Sequence, residues 1–160
     1  MSLSDELYRE TILDHYHNPR NQGVLEGDAV LSVEGVNPLC GDELVLYLKV
    51  EDGKVENLSI KSRGCSINTA SSSMMTEAVK GQDLAHVQEL ITSFKDMMMK
   101  PEESVLPEEF DELEALQGVK KYPVRIKCAL LPWNTLIEGL RCAESRHQGL
   151  VEGPKTVSTE

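Results

Sequence analysis

Three cysteines of this chain stand in local settings suited to metal binding or to thiol chemistry. Cys40 lies in the segment NPLCGD (37–42), Cys65 in RGCSI (63–67) and Cys128 in RIKCA (125–129). The first two adjoin glycine, where the backbone can bend sharply, and Asp42 follows Cys40 by two residues. Because three thiolates and one carboxylate can form a tetrahedral zinc shell, these four residues are the candidate ligands.

Two of the cysteines also have surroundings that favour negative charge on sulfur. Cys65 comes just before a predicted helix, whose free N–H groups and dipole attract an anion. Cys128 follows Arg125 by three residues, so one helical turn would bring the guanidinium to the same face. We therefore expect Arg125 to lower the pKa of the Cys128 thiol or to stabilise an anionic sulfur species, although a surface salt bridge is the plainer alternative.

Wide cysteine spacing has no unique meaning by itself. A lone intracellular cysteine is most often a small buried hydrophobe, and Cys142, close to Leu140 and Ala143 in the last predicted helix, fits that description. For Cys40, Cys65 and Cys128, a structural zinc site, a labile metal site and a reactive thiol on a carrier all remain open.

Composition excludes some partners. The chain has 160 residues and a formal net charge of −11, which argues against nucleic acid and anionic membrane because both need a basic surface. Its apolar runs are far too short to span a bilayer, and its first residues lack the basic and apolar regions of a secretory signal. We expect a cytoplasmic protein with reduced thiols.

The pattern of apolar residues predicts an α+β fold. A helix over 4–17 is followed by strands over 30–36, 43–50 and 55–62, the last two joined by a hairpin turn at Asp52 and Gly53. These strands predict a small antiparallel three-stranded sheet. Helices over 68–80 and 83–99, a short helix to about residue 116 and a long helical region from Tyr122 complete a domain over 1–145, and 146–160 reads as a flexible tail.

The motifs, taken in this order, resemble the IscU/NifU-like proteins of iron–sulfur cluster biogenesis. The resemblance rests on the run 8–19 with Gly23, the NPLCGD segment, GCSI before a serine-rich helix, and Cys128, and it extends to about residue 145. Lys127 stands where the scaffold branch has histidine, and an insert lies around 95–116. Both features are similar to the SufU branch.

This resemblance implies a compact sheet with helices packed around it and a zinc site made by Cys40, Asp42, Cys65 and Cys128. It also implies an activity: acceptance of persulfide sulfur from a SufS-type, pyridoxal-phosphate-dependent cysteine desulfurase, and transfer toward cluster assembly. Cys40 would be the acceptor, freed when a histidine of the partner displaces it from zinc, with Arg125 assisting. Such a chain is a sulfurtransferase-like partner of the desulfurase rather than a stand-alone enzyme.

Two competing interpretations use the same residues. In the first, the chain is a scaffold on which a transient iron–sulfur cluster is assembled and handed to downstream iron–sulfur assembly proteins, since cysteine ligation suits both metals. In the second, zinc is purely structural and no cysteine is reactive. Metal content and visible absorption distinguish the scaffold from sulfur transfer, and stimulation of a desulfurase distinguishes the structural zinc domain.

Overall fold

The computed structural model describes residues 3–102, 106–149 and 155–158. The elements in chain order are α1 (Leu3–His17), β1 (Val30–Asn37), β2 (Asp42–Glu51), β3 (Lys54–Arg63), α2 (Ser66–Val79), α3 (Leu84–Met99), a 3-10 segment (Glu108–Lys121), α4 (Pro123–His147) and β4 (Val157–Ser158). The predicted first helix, three strands and two following helices are confirmed to within a few residues. Within the described part of the chain, no helix is long and apolar enough to cross a membrane.

The sheet differs from its prediction in one respect. Its strand order is β3-β2-β1-β4, with β1, β2 and β3 antiparallel and β4 parallel to β1 through the pairs Gly35–Val157 and Val36–Ser158. The prediction of three antiparallel strands is therefore wrong, because the sheet has four strands and is mixed. A two-residue strand has no alternation to detect, and it pairs with residues more than a hundred positions away.

The central hairpin follows from the predicted turn chemistry. Asp52 and Gly53 both have positive φ, at 54° and 73°, as a tight turn between antiparallel strands requires. Along β2, Leu44, Leu46 and Leu48 are buried, whereas the residues between them are more accessible. One face of the sheet is thus apolar and packs against helices, as the alternation in the sequence indicated.

Helix α4 lies close against this apolar face, and glycine permits the approach. A Cβ at Gly35 of β1 would stand 2.3 Å from Thr135 Oγ1 of α4, and one at Gly139 would stand 3.0 Å from Leu48 Cδ2. Neither space can hold another carbon without displacement of the neighbour. The position of α4, and hence of Cys128 near its start, is fixed relative to β1 and β2.

Helix α2 packs against α4 through small polar residues. The Ser71 hydroxyl donates to the Ala129 carbonyl of α4 at 2.6 Å and accepts from Trp133 Nε1 at 3.1 Å. Trp133 in turn stacks on Phe94 of α3, with ring centroids 4.2 Å apart. The serine-rich stretch seen in the sequence therefore allows two helices to approach closely, and the Ser71 hydroxyl both donates and accepts across their contact.

The 3-10 segment, which includes the end of the predicted insert, is attached to the body of the fold. His15 of α1 is buried, with Nδ1 2.7 Å from Ser73 Oγ and Nε2 2.5 Å from Glu112 Oε1. The sequence places this residue near the end of the predicted helix over 4–17. A single imidazole joins α1, α2 and the 3-10 segment.

The C-terminal residues are held by a carboxylate on α4. Glu138 accepts two hydrogen bonds from Arg141, at 2.8 and 2.7 Å, and a third from the Lys155 backbone N–H at 2.8 Å. The predicted division into a domain over 1–145 and a flexible tail over 146–160 stays a prediction, because 150–154 and 159–160 lie outside the described residues. Within that range, α4 continues to His147 and β4 pairs with β1.

Replacement of Glu138 by glutamine tests this attachment. Hydrogen bonds from Arg141, and then from Lys155, lower the pKa of Glu138 to about 2, whereas a free glutamate titrates near 4.5. A carboxyl group whose pKa is lower in the folded protein than in the unfolded chain stabilises the fold at pH values above the unfolded-state pKa. This stabilisation is lost as the pH falls toward the folded-state pKa. We expect Glu138→Gln to cost about 1–3 kcal/mol of unfolding free energy at pH 7, a difference that narrows as pH falls from about 5 toward 2.

Denaturant unfolding of both proteins across this pH range measures the difference. The control is Glu144→Gln, which changes an exposed carboxylate on the same helix and should have little effect. A cost for Glu138→Gln that does not depend on pH would contradict the assigned role of its ionised form.

Candidate metal centre

The four candidate ligands come together at one end of the sheet. Cys40 lies in the loop between β1 and β2, Asp42 is the first residue of β2, Cys65 is the N-cap of α2, and Cys128 lies in the second turn of α4. Three segments far apart in sequence thus supply the four side chains, with Cys40 and Asp42 in the same segment. The hairpin and the contact between α2 and α4 are what bring them together.

Asp42 is fixed by the chain beside it. Its Oδ1 accepts the Cys65 backbone N–H at 2.8 Å, and its side chain is buried. Gly64 makes this possible, since its φ is +141° and a Cβ there would stand 2.2 Å from Asp42 Oδ1 and 2.8 Å from Asp42 Cα. With Oδ1 occupied in this way, Oδ2 faces the cysteine sulfurs.

The distances among three of the donor atoms suit a shared metal ion, and Cys65 adjoins this group. A sulfur of Cys40, a carboxylate oxygen of Asp42 and a sulfur of Cys128 all lie within 4.8 Å of one another. Cys65 Sγ lies 3.8 Å from Asp42 Oδ2. Zinc bonds of about 2.3 Å to sulfur and about 2.0 Å to oxygen separate neighbouring ligand atoms by about 3.5–3.8 Å. Cys40, Asp42 and Cys128 thus form a group that could hold a metal ion, and Cys65 lies next to it.

Cys128 is the most deeply buried of the four. Its burial, followed by its hydrogen bonds with Cys40, Asp42 and Cys65, raises the pKa of its thiol well above the usual range. Arg125 forms a hydrogen bond with Cys128, but burial has the largest effect on this pKa and raises it, so the expectation that Arg125 favours an anionic sulfur stays a prediction. A metal cation is the partner that would make a thiolate stable in this position.

Cys40 has different surroundings. It lies in two overlapping turns, closed by hydrogen bonds from Cys40 N to Asn37 O at 3.2 Å and from Gly41 N to Pro38 O at 3.4 Å. It is half-buried and lines a groove of about 900 Å³ together with Leu39, Ser66, Ile67, Tyr122 and Arg125. Of the three candidate cysteine ligands, Cys40 alone belongs to neither a strand nor a helix terminus.

Arg125 lies beside this cluster, as its spacing from Cys128 predicted. The pKa of its guanidinium is raised, first by the charge of Cys65 and next by a hydrogen bond with Cys128 and the charge of Cys40. The side chain is exposed and lines the same groove as Cys40. Arg125 can therefore reach an anionic group that enters from solvent.

Cys142 is a core residue, as the sequence predicted. Two neighbours of the candidate ligands, Gly64 and Asn37, were not predicted to belong to the site. Cys142 is fully buried in the apolar core. Gly64 and Asn37 have site contacts that the sequence did not reveal: Asn37 Nδ2 donates to Asp42 Oδ2 and to Cys128 Sγ, both at 3.4 Å. Asn37 is the first residue of the NPLCGD segment, and Gly64 precedes Cys65. In a sequence, however, asparagine before proline indicates only a turn, and glycine indicates only a bend.

Comparison with known proteins identifies the family of this chain. The model of the NifU-like N terminal domain matches residues 7–129. The chain belongs to this family. That result confirms the resemblance drawn from the cysteine motifs, all three of which fall inside the matched range.

Individual relatives cover almost all of the chain. The zinc-dependent sulfurtransferase SufU of Bacillus subtilis is 45% identical over 138 residues, which are 85% of this chain and 90% of the relative. The iron-sulfur cluster assembly scaffold protein IscU of Streptococcus pyogenes is 39% identical over 96% of this chain and 97% of its own. A crystal structure of a nitrogen-fixing NifU-like protein (N-terminal) from Brucella abortus superposes with a TM-score of 0.76 at 27% identity. The superposition covers 91% of this chain and 99% of the Brucella chain.

Replacement of Gly64 by alanine tests the geometry of this NifU-like site. The new Cβ would overlap the Asp42 carboxylate and backbone, so Asp42 must move away from the sulfurs. We expect zinc affinity, measured by competition with a chromophoric chelator, to fall about tenfold to a hundredfold.

The control for this substitution is Gly81→Ala. Gly81 also has positive φ, at +81°, but nothing lies within 4 Å of an added Cβ. Alanine there also has a conformation that favours glycine but meets no neighbouring atom, so the zinc affinity should be unchanged. Equal zinc affinities for Gly64→Ala and the unchanged protein would show that Asp42 is not held as described.

Proposed function

We propose that this chain accepts persulfide sulfur on Cys40 from a SufS-type cysteine desulfurase and carries it toward iron–sulfur cluster assembly. Cys40, Asp42, Cys65 and Cys128 would hold one zinc ion. The proposal makes the chain a sulfurtransferase-like partner of the desulfurase, in line with the SufU relative described as a zinc-dependent sulfurtransferase.

The asymmetry of the four donors is the observation that carries this proposal. Asp42 and Cys128 are buried, and Cys65 caps α2 by accepting the Asn68 backbone N–H at 3.5 Å. Cys40 sits in a loop and lines an open groove. A movement of Cys40 toward an incoming donor therefore disturbs the least structure, whereas a movement of either other sulfur would disrupt a helix or the core.

The transfer itself is a thiolate–disulfide type of exchange. The Cys40 thiolate attacks the terminal sulfur of the persulfide on the donor protein, and a new S–S bond forms at Cys40. The S–S bond of the donor breaks, and the donor cysteine leaves as a thiolate. The sulfane sulfur keeps its oxidation state, so no external oxidant or reductant is required.

Each neighbouring residue has a definite part in this step. Zinc, when bound, supplies a positive charge that keeps the sulfurs deprotonated. Arg125 lines the groove beside Cys40 and can stabilise the anionic persulfide that arrives and the one that forms. Leu39 and Tyr122, both exposed at the same groove, offer apolar surface to a docked protein.

The net charge and the free thiols bear on the partners and on the compartment of the chain. A net charge of −11 suits protein partners, namely the desulfurase and downstream iron–sulfur assembly proteins, rather than nucleic acid or anionic membrane. Free thiols persist in a reducing compartment, so we propose that the chain acts in the cytoplasm.

A scaffold for a transient iron–sulfur cluster is the alternative function. It is favoured by the IscU relative, described as a scaffold protein, and by a sulfur-rich donor set that also suits iron. Protein purified without added metal distinguishes the two: zinc without visible colour favours sulfur transfer, and iron with a brown absorption favours the scaffold.

Persulfide mapping tests the acceptor directly. The protein is incubated with a cysteine desulfurase and free cysteine, and the added sulfur is located by mass spectrometry of its peptides. We expect the sulfur on Cys40, and loss of loading in Cys40→Ser, because only this thiol lines the open groove.

The control is Cys142→Ala, which removes a thiol buried in the core and should leave the loading of Cys40 unchanged. Sulfur found on Cys65, Cys128 or Cys142 with Cys40 unmodified would refute the assignment. Absence of any loading would favour the scaffold or the structural zinc domain.

Arg125→Ala tests the assisting cation. Because Arg125 contributes charge rather than a ligand atom, zinc content should persist while the initial rate of persulfide loading falls about tenfold. Arg146→Ala, on the exposed far end of the same helix, is the control and should load at the normal rate. A normal rate for Arg125→Ala would remove Arg125 from the mechanism and leave Cys40 as the acceptor.

A further inference from the structure

We infer that Asn37 is a positioning residue of the metal centre, which holds Asp42 and Cys128 in the arrangement that a metal ion requires. This inference rests on the proposed metal ligation, and it assigns a role to a side chain that supplies no ligand atom itself. Asn37 is the last residue of β1 and is fully buried.

The contacts of Asn37 reach three of the four candidate ligands. Its Nδ2 donates to Asp42 Oδ2 and to Cys128 Sγ, each at 3.4 Å, and its backbone carbonyl accepts the Cys40 N–H at 3.2 Å. Asp42 is also its partner in the register of β1 and β2. Cys128, by contrast, is 91 residues distant in sequence, so one amide group connects the hairpin to α4.

The orientation of the amide follows from charge. The NH2 group carries two hydrogens, one for the carboxylate oxygen and one for the sulfur. The reversed amide would place its carbonyl oxygen against two groups that bear negative charge as metal ligands. The observed orientation leaves Asn37 Oδ1 buried without a hydrogen-bond partner among the described residues. Leaving a buried carbonyl unpaired is unfavourable, so the two donated bonds must outweigh that loss.

These two bonds would have a measurable effect on a bound metal. An N–H donor on a ligating sulfur withdraws electron density from it, and an N–H donor on a ligating carboxylate fixes which oxygen faces the ion. Since Oδ1 of Asp42 is held by the Cys65 N–H and Oδ2 by Asn37, the carboxylate has no freedom to rotate. Without Asn37, Asp42 and Cys128 lose a side chain that donates to both of them and is not itself a candidate ligand.

Asn37→Leu and Asn37→Asp remove the donor in two different ways. Leucine fills a similar volume without a hydrogen bond, and aspartate keeps the shape but cannot donate when ionised. We expect either variant to bind zinc about tenfold to a hundredfold more weakly in chelator competition. Cobalt-loaded protein should show ligand-field and sulfur-to-cobalt bands at altered positions, which a merely structural change elsewhere would not produce.

Asn57→Ala is the control for these measurements. Asn57 is a strand residue of β3 whose side chain accepts the neighbouring Leu58 N–H, at 2.9 Å. It should have normal zinc affinity and an unaltered cobalt spectrum. Folded Asn37 variants with normal affinity and an unchanged cobalt spectrum would overturn the inference.

A measurement on the unchanged protein keeps the inference testable where the variants do not fold. In the NMR spectrum, addition of ¹¹³Cd²⁺ to the metal-free protein should shift both Asn37 side-chain N–H resonances and leave those of Asn57 in place. Asn37 resonances that do not move would contradict the inference. A shift of Asn37 in a protein that accepts no persulfide would instead keep the inference and reject sulfur transfer.

Discussion

The hydrogen bond from the Cys65 N–H to Asp42 Oδ1 is the contact on which the arrangement of the site depends. It joins the start of β2 to the junction between β3 and α2, at 2.8 Å, and it exists because Gly64 has no side chain. Asp42 Oδ1 is thereby used in a backbone hydrogen bond, and Asp42 Oδ2 faces the candidate metal ligands. The bond also sets Cys65 at the N-terminus of α2, where its sulfur accepts the Asn68 N–H. A structural contact and a ligand geometry are therefore parts of the same local conformation.

The second constraint is the close packing of α4. Gly35 and Gly139 bring α4 onto the sheet, and Ser71 brings α2 onto α4, so Cys128 reaches the hairpin from the opposite side. Bulky residues at these three positions would separate the layers and move Cys128 away from Asp42. Small residues in the middle of helices and strands ordinarily weaken them, and here they allow ligands from distant segments to meet. Pro132 belongs to the same part of α4, and the helix continues through it to His147.

The sequence predicted those parts of the fold that depend on local patterns. Alternating leucines identified β2, Asp52 and Gly53 identified the hairpin, and Asp83 marked the start of α3, where its side chain accepts the His86 N–H at 2.8 Å. β4 and the bridging position of His15 depend on contacts between residues far apart, for which a single sequence has no periodic signal. The candidate ligands could be chosen because cysteine and aspartate carry their chemistry in their side chains. Asn37 could not, because its role depends on which buried groups surround it.

The same contrast separates what spacing and what charge could predict around Cys128. The interval of three residues placed Arg125 beside the cysteine cluster correctly, since helical geometry depends only on the number of residues. The direction of the Cys128 pKa shift depends on burial, which no local pattern reports, and burial dominates. The consequence reaches the proposed function: a thiol that is hard to ionise without a cation is a poor free nucleophile and a suitable permanent ligand. Cys40 lies in a loop, whereas Cys65 caps α2 and Cys128 is buried in α4, so the proposed role of Cys40 as acceptor rests on its place in the fold.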